Sequence, residues 1–391
     1  MVPVLYQDAD RQIESELLAL VALLGYNSNF HTELGHERFF TRWPISTERL
    51  VNEKTFNVAI AGFGRIADTH LEAWNSLDNT RVTAVVDDSP LARERARSMG
   101  MEAFEDIGQL LEAGHKPDAM SICSPPVFHG SQTLSLMAEG IPVLCEKPIS
   151  VDLDSAQRLV EGALQYQVPF QLATKFRHVP EIRKARDLVK HGVIGDPITF
   201  HVEFAGSVDM SNRWNSVPQF SGGGVLIDNG CHAVDTVRFL LSGITKIQGV
   251  PLKPLQKLGV EDSAMMLATT ECGATGRIMM SWSVKSWKDT YISIQGTRGM
   301  IEIGWKQSWL HVDGEAPVQI GSGYSKAASH KRMMGMFRDL CLGGNEMWIT
   351  PDDVMASATV IEAAYRSMQS GRWARVPNPS LNRHQLIAAS R

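Results

Sequence analysis

The sequence predicts an α/β domain built on a doubly wound parallel sheet, followed by an α+β domain with a large, mostly antiparallel, open-faced sheet. Three observations carry that expectation. From Phe56 to Ala173 short apolar runs alternate with helical segments. After about residue 176 strand-like segments follow one another with few helices between them. The 391 residues also exceed what one hydrophobic core holds, at roughly 150 residues per domain. Strand–helix alternation means βαβ units, whereas consecutive strands joined by glycine turns mean hairpins. The expected division is 1–55 as an N-terminal extension, 56–176 as the α/β domain and 177–391 as the α+β domain.

In chain order, Asn57–Ala61 is a strand of the buried type, ending at Gly62, and a helix follows to about Leu77. Arg81–Val86 is the next strand. Ser89 and Pro90 supply an N-cap and a first-turn proline for a helix that Gly100 closes. A helix from Asp106, a strand over Asp118–Cys123, a helix closed by Gly140, a strand over Pro142–Cys145, a helix over Leu153–Gln167 and a strand over Pro169–Ala173 complete the first series. The second opens with a helix over Glu181–His191, stopped by Gly192. Strands are then expected at Ile198–Phe204, Ser263–Thr270, Thr275–Val284, Tyr291–Gln295 and Met300–Trp305, interrupted by a helix after Gly224 and two late helices. Gly273 and Gly296–Gly299 mark hairpin turns.

The extension reads differently. Leu17, Leu18, Val21 and Leu24 recur at helical spacing, which predicts one amphipathic helix at about 10–25. His31 and His36 stand five apart, so they do not share a helical face, and no metal site is expected. This segment reads as an arm packing on the body or on a partner subunit.

Composition narrows the function class. The chain is 43% hydrophobic and 21% charged, and Lys plus Arg total 38 against 43 for Asp plus Glu, a net charge of −5. That balance lacks the basic footprint of a nucleic-acid or anionic-membrane binder. Five scattered cysteines without a CxxC spacing fit a reducing compartment. The most apolar early run, Leu17–Leu24, is short and preceded by acids, so neither a signal peptide nor a membrane span is expected. The expectation is a cytoplasmic protein acting on a small molecule.

Three motifs carry chemistry. Gly62-Phe63-Gly64-Arg65-Ile66-Ala67 is a G-x-G-x-x-A placed between a buried strand and a helix. Gly62 suits the tight turn, Gly64 lets a pyrophosphate approach the helix N-terminus, and Ala67 keeps helix and strand close. Asp87 ends the next strand as a ribose-hydroxyl acceptor should. This is a dinucleotide site, and the carboxylates of Asp87 and Asp88 favour NAD over NADP because they repel a 2′-phosphate. Glu146-Lys147-Pro148 stands at the carboxyl end of a buried strand, the ligand edge of such a sheet. A lysine there can hydrogen-bond a substrate hydroxyl or relay its proton. Finally, Gly222-Gly223-Gly224 opens a helix on which Asp228, His232 and Asp235 fall at i, i+4 and i+7, hence on one face. A carboxylate one turn from an imidazole can fix its tautomer and raise its basicity.

These motifs, with the Ser124–His129 (SPPVFH), Glu139–Pro148 (EGIPVLCEKP), Lys190–Pro197 (KHGVIGDP) and Gly222–Asp235 segments, make the chain resemble the Gfo/Idh/MocA (glucose–fructose oxidoreductase / inositol dehydrogenase) family over about residues 56–375. The resemblance implies a Rossmann domain, an open-faced sheet domain mediating homodimers or homotetramers, and substrate held between the two. It implies Lys147 and His232 as a catalytic pair oriented by Asp228. Cofactor contacts would come from Gly62, Phe63, Gly64, Arg65, Ile66, Asp87, Ser124, Pro125, His129, Glu146 and Lys147. Lys147, Arg177, Asp228, His232 and Asp235 would meet substrate. The chain departs from the family at Ser124-Pro125-Pro126, where Thr-Pro-Asn is usual, and at Lys175-Phe176-Arg177, where an Asn-Arg pair is common. The implied activity is oxidation, or reversible reduction, of a secondary hydroxyl of a sugar, cyclitol or sugar conjugate. Two alternatives stay open: a non-redox use of bound NAD in oxidation–elimination, and a cofactor-sensing binding protein.

Overall fold

The computed structural model describes residues 55–344 and 347–377; the helix expected at 10–25 and the His31/His36 pair lie outside them. The first sheet contains β1 (Phe56–Ala61), β2 (Thr80–Val86), β3 (Glu102–Phe104), β4 (Ala119–Ile122), β5 (Val143–Cys145) and β6 (Phe170–Leu172). They are all parallel, in the order β3-β2-β1-β4-β5-β6. Between them run α1 (Arg65–Asn75), α2 (Pro90–Ser98), α3 (Ile107–Glu112), α4 (Pro126–Ala138) and α5 (Leu153–Tyr166). The strand order reverses between β1 and β4, and that switch point opens the ligand crevice.

Local chemistry explains the boundaries. β1 is buried on both faces, so its run needs no polar alternation. Ser89 caps α2 with Pro90 in the first turn, while Asp106 and Asp152 accept the N–H groups of Gln109 and Ser155 at 2.9 and 2.7 Å to cap α3 and α5. Trp74 is fully buried and donates Nε1–H to Ser121 Oγ at 2.8 Å, which ties α1 to β4. The three-residue edge strand β3 was not expected from the sequence; it is too short to show a period.

A 3₁₀ turn (Lys175–His178) and α6 (Pro180–Lys190) lead into the second sheet. Its strands are β7 (Pro197–Ala205), β8 (Ile244–Pro251), β9 (Ser263–Thr270), β10 (Thr275–Ser281), β11 (Thr290–Gly296), β12 (Gly299–Gly304), β13 (Ser308–Val312), β14 (Val318–Gly321) and β15 (Ala374–Arg375). The order is β14-β13-β12-β11-β7-β10-β9-β8-β15, antiparallel except where β7 meets β10. The expected hairpins form at Gly273 and at Thr297-Arg298. Between β7 and β8 lie α7 (Pro218–Ser221), α8 (Val225–Asp228) and α9 (Gly230–Leu240); α10 (Lys326–Cys341) and α11 (Pro351–Ser370) follow β14.

One face of this sheet forms the core, with Phe200, Val202, Ile278, Met280, Ile294 and Ile301 sealed beneath α6, α9 and α11. The alternate residues, among them His201, Met265, Leu267, Arg277, Met279 and Met300, stay half-buried or exposed. The sheet is therefore open on one side among the described residues.

One expectation needs correction. The sequence assigns 177–391 to the second domain, yet α10 and the start of α11 return to the first. Met333, Met334, Phe337 and Leu340 share a core with Phe56, Trp74 and Val82. Ile349, Val354 and Met355 share another with Leu136, Val143 and Leu159. An apolar helical stripe declares that it is buried but not against what, so sequence alone could not place them.

Candidate active site

The glycine turn after β1 has the shape its residues predict. Gly62 has φ +84, and a Cβ there would lie 2.5 Å from the Ser124 nitrogen, so the turn requires glycine. At Gly64 a Cβ would meet nothing within 4 Å, and no side chain caps α1. The N-terminus of α1 is thus uncapped by any side chain and unobstructed at Gly64 at the switch point, an arrangement that fits a dinucleotide pyrophosphate. Asp87 holds this turn in place: Oδ2 accepts Phe63 N–H at 2.6 Å and Oδ1 accepts Ser89 N–H at 2.9 Å. Arg65 is exposed at the helix start and Ile66 half-buried. Arg93 donates to the carbonyls of Asp87 and Asp88 at 2.8 and 2.9 Å, which anchors the nearest cation of that loop. Ser124 and Pro125 follow β4 beside the turn, with Ser124 Oγ donating to Gln132 at 2.6 Å.

Two residues expected at the cofactor are turned inward. His129 is fully buried, with Nδ1 2.9 Å from the Pro148 carbonyl and Nε2 2.9 Å from the Ser124 carbonyl. It clamps the loops after β4 and β5 together and has no free edge for a ligand. Glu146 faces His70, whose Nε2 lies 2.9 Å from its Oε1, and accepts Lys147 N–H at 3.1 Å. Burial works against the Glu146 charge, but the His70 hydrogen bond and the neighbouring Lys147 hold its carboxyl at about 2. No metal site follows from the sequence, yet His70, Glu146 and His330 bring three ligand-type atoms within 4.8 Å of one another. Here the closest pair is joined by a hydrogen bond.

Across the domain boundary, Lys147 Nζ donates to Asp228 Oδ1 at 2.6 Å and to the Asp228 carbonyl at 3.1 Å. Burial opposes the ammonium, but the Asp228 charge and hydrogen bond together with the neighbouring Cys231 and Glu146 outweigh it and raise the lysine's pKa above the ordinary value. The triglycine explains how the chain reaches this point. A Cβ on Gly222 would strike the Val151 carbonyl, on Gly223 the Tyr365 hydroxyl, and on Gly224 the Glu261 carbonyl. Glu261 Oε1 also accepts the N–H groups of Gly224 and Leu226 at 3.0 Å each and the Tyr365 hydroxyl at 2.9 Å. That capping acid was not singled out in the sequence, because it lies 35 or more residues from its partners.

The expected single face of Asp228, His232 and Asp235 does not form. α8 ends at Asp228 and α9 begins at Gly230, and the three side chains meet different partners. Asp228 holds Lys147 rather than His232. His232 is 7% exposed, and its Nδ1 is buried with no hydrogen-bond partner among the described residues, so packing orients the ring: Phe176 meets it edge-on at 5.2 Å. With Nδ1 sealed, Nε2 is the nitrogen left for a substrate. Burial first, then the charge of Lys147, drives the His232 pKa well below 6.5.

Arg177 and Asp235, expected to meet substrate, are 4% and 2% exposed and bind each other. Arg177 Nη2 and Nε reach Asp235 at 2.6 and 2.9 Å, and further contacts go to Asp353 at 3.1 Å and the Trp348 carbonyl at 2.8 Å. This saturated fork pins the 3₁₀ turn, α9 and α11 together. Instead the structure brings Lys175 and His330 to the site; Lys175 was noted in the sequence only as a departure from the family pattern, and His330 did not stand out. His330 Nδ1 lies 2.8 Å from the Lys326 carbonyl, and burial lowers its pKa to about 4. A cavity of about 350 Å³ is lined by Lys147 together with Cys231, Asp235, Thr174 and Ser357. Neither His232 nor the glycine turn after β1 lines it.

Comparison with known proteins agrees with this geometry. Residues 56–174 match the model of an oxidoreductase family with an NAD-binding Rossmann fold, and residues 182–302 match the Gfo/Idh/MocA C-terminal domain. The chain is 25% identical over 313 residues to the rhizopine catabolism protein MocA of Rhizobium meliloti, covering 79% of this chain and 94% of that protein. It is 24% identical over 343 residues to inositol 2-dehydrogenase of Rhizobium meliloti, covering 81% and 98%. A levoglucosan dehydrogenase solved with NADH superposes with a TM-score of 0.73 at 18% identity, covering 83% of this chain and all of the other (100%). No helix among the described residues is long and apolar enough to cross a membrane. With a nucleotide turn at the sheet's switch point, the Glu146-Lys147-Pro148 loop meeting Asp228 and both family models matched, the chain belongs to the Gfo/Idh/MocA family of oxidoreductases.

Proposed function

We propose that this protein is an NAD-dependent dehydrogenase that oxidises a secondary hydroxyl of a sugar, cyclitol or sugar conjugate, or runs the reverse. The supporting observation is the pairing of Lys147 with Asp228 across the two domains at 2.6 Å, beside an imidazole held neutral. Bound NAD, held by the turn at Gly62–Ala67 and by Asp87, supplies the acceptor for the carbinol hydride. His232 takes the hydroxyl proton at Nε2, because it is the neutral base of the site. Lys147 stays charged and donates a hydrogen bond to the developing alkoxide, while Asp228 fixes its position. Preference for NAD over NADP rests on Asp87 and Asp88, with Arg93 already engaged by their carbonyls. The open face of the second sheet, with Met265, Leu267, Met279 and Met300, fits a homodimer or homotetramer interface.

The test is formation of NADH by purified protein against a panel of sugars, cyclitols and glycosides. NADH appearing in step with substrate loss is the expected result. Turnover with no net NADH would instead favour oxidation–elimination, and binding of NAD without turnover of any compound would favour a sensor.

A further inference from the structure

Among the described residues, Lys175 is a cation without a hydrogen-bonding partner. It opens the 3₁₀ turn after β6, at the same carboxyl edge of the parallel sheet as Lys147. Its half-buried ammonium lies 5.3 Å from the ring centre of Phe176 and 5.8 Å from that of Tyr324. Phe176 packs edge-on against His232 at 5.2 Å, so Lys175 and the imidazole flank one aromatic ring. Two neighbouring cations are partnered, Lys147 by Asp228 and Arg177 by Asp235 and Asp353. Among the described residues no carboxylate or carbonyl hydrogen-bonds Lys175.

Ring faces compensate only part of the cost of removing an ammonium from water. The charges felt at Lys175 are those of Lys147 and Lys326, which repel it, and Glu146 and Asp228, which attract it. Both acids are already held by other groups, Glu146 by His70 and Asp228 by Lys147. Burial, then repulsion from Lys147, brings the Lys175 pKa down to about 8. A ligand anion would stabilise the ammonium and supply its missing acceptor. One uncompensated positive charge matches a monoanion better than a phosphate dianion.

We infer that the substrate carries a carboxylate, as a uronate, an aldonate or a carboxylated cyclitol does, and that Lys175 receives it beside the reacting carbon. This rests on the dehydrogenase reading above. The test uses matched pairs of hexuronates and aldonates with their primary amides, plus the corresponding sugar phosphates. Two readouts are taken: kcat/KM for NADH formation, and binding to the NADH-loaded protein followed by its fluorescence.

In the wild type a carboxylate should be preferred over its amide by roughly 10- to 100-fold, the worth of a charged hydrogen bond. Lys175→Gln should collapse that ratio, and Lys175→Arg should keep most of it; NAD titration of each variant verifies the fold. A Lys175-dependent binding preference without turnover would uphold the carboxylate site while overturning the dehydrogenase reading. Equal or absent binding of acid and amide would overturn the inference, as would tighter binding of the phosphates. So would a ratio unchanged by Lys175→Gln, or an effect confined to kcat with a lost alkaline limb, which would make Lys175 a proton carrier.

Discussion

At the scale of single residues, the proposed division of labour between His232 and Lys147 rests on opposite pKa shifts caused by the same neighbourhood. Burial and Lys147 keep His232 neutral, and Asp228 keeps Lys147 charged. Protonating the base stops the reaction, so kcat/KM should hold its plateau as the pH falls through 6.5 and decline only below it. In Lys147→Met the acid limb should move back up toward 6.5, though not all the way, because burial is the larger cause. A pH–rate profile of both proteins checks this. Asp228→Asn should lower turnover, and the loss should largely vanish in a Lys147→Ala background, since Asp228 acts through the lysine. The types of these residues were legible from the Glu-Lys-Pro and triglycine motifs. Their partners were not: helical spacing paired Asp228 with His232, whereas the fold pairs Asp228 with Lys147, which lies 81 residues away in sequence.

At the scale of elements, the junction between the sheets depends on groups the sequence could not align. Arg177 joins the 3₁₀ turn, α9 and α11 through a buried fork. Arg177→Ala leaves the Asp235 carboxylate buried and unpaired, which costs about 3–5 kcal/mol; urea unfolding should show that loss, and Arg177→Lys should recover only part because one ammonium cannot form the fork. The buried runs of β1, β2 and β4, the capped helices and the two hairpins were readable because each has a local cause. The strands β3, β8, β13 and β14 were not. They are short or carry a glycine and a proline, as in Ile244–Pro251, and their alternation becomes visible only against neighbouring strands.

At the scale of the whole molecule, the fold class was evident from the change of rhythm near residue 176, whereas the return of α10 and the start of α11 to the first domain was not. The open sheet face predicts self-association: light scattering at micromolar concentration should report a dimer or tetramer, and Leu267→Arg should shift it toward monomer. A wild-type monomer would contradict this. Stability should also fall on acidification. His129, His178, His232 and His330 have pKa values lowered by burial, so below 6.5 the unfolded chain takes up protons the folded chain refuses. Each histidine contributes a slope of at most about 1.4 kcal/mol per pH unit. For His330 that window runs from 6.5 down to about 4, and urea titrations between those limits will show whether the loss occurs.

The central claim is that Lys147 from one domain and His232 from the other form a single proton-handling unit. A double-mutant cycle on kcat tests it most directly. His232→Ala and Lys147→Ala should each lower kcat by ~10²–10⁴-fold, with NAD binding kept in His232→Ala, and the double mutant should fall far short of the product of the two losses. Losses that multiply in full, or near-normal turnover in a folded His232→Ala protein, would contradict it.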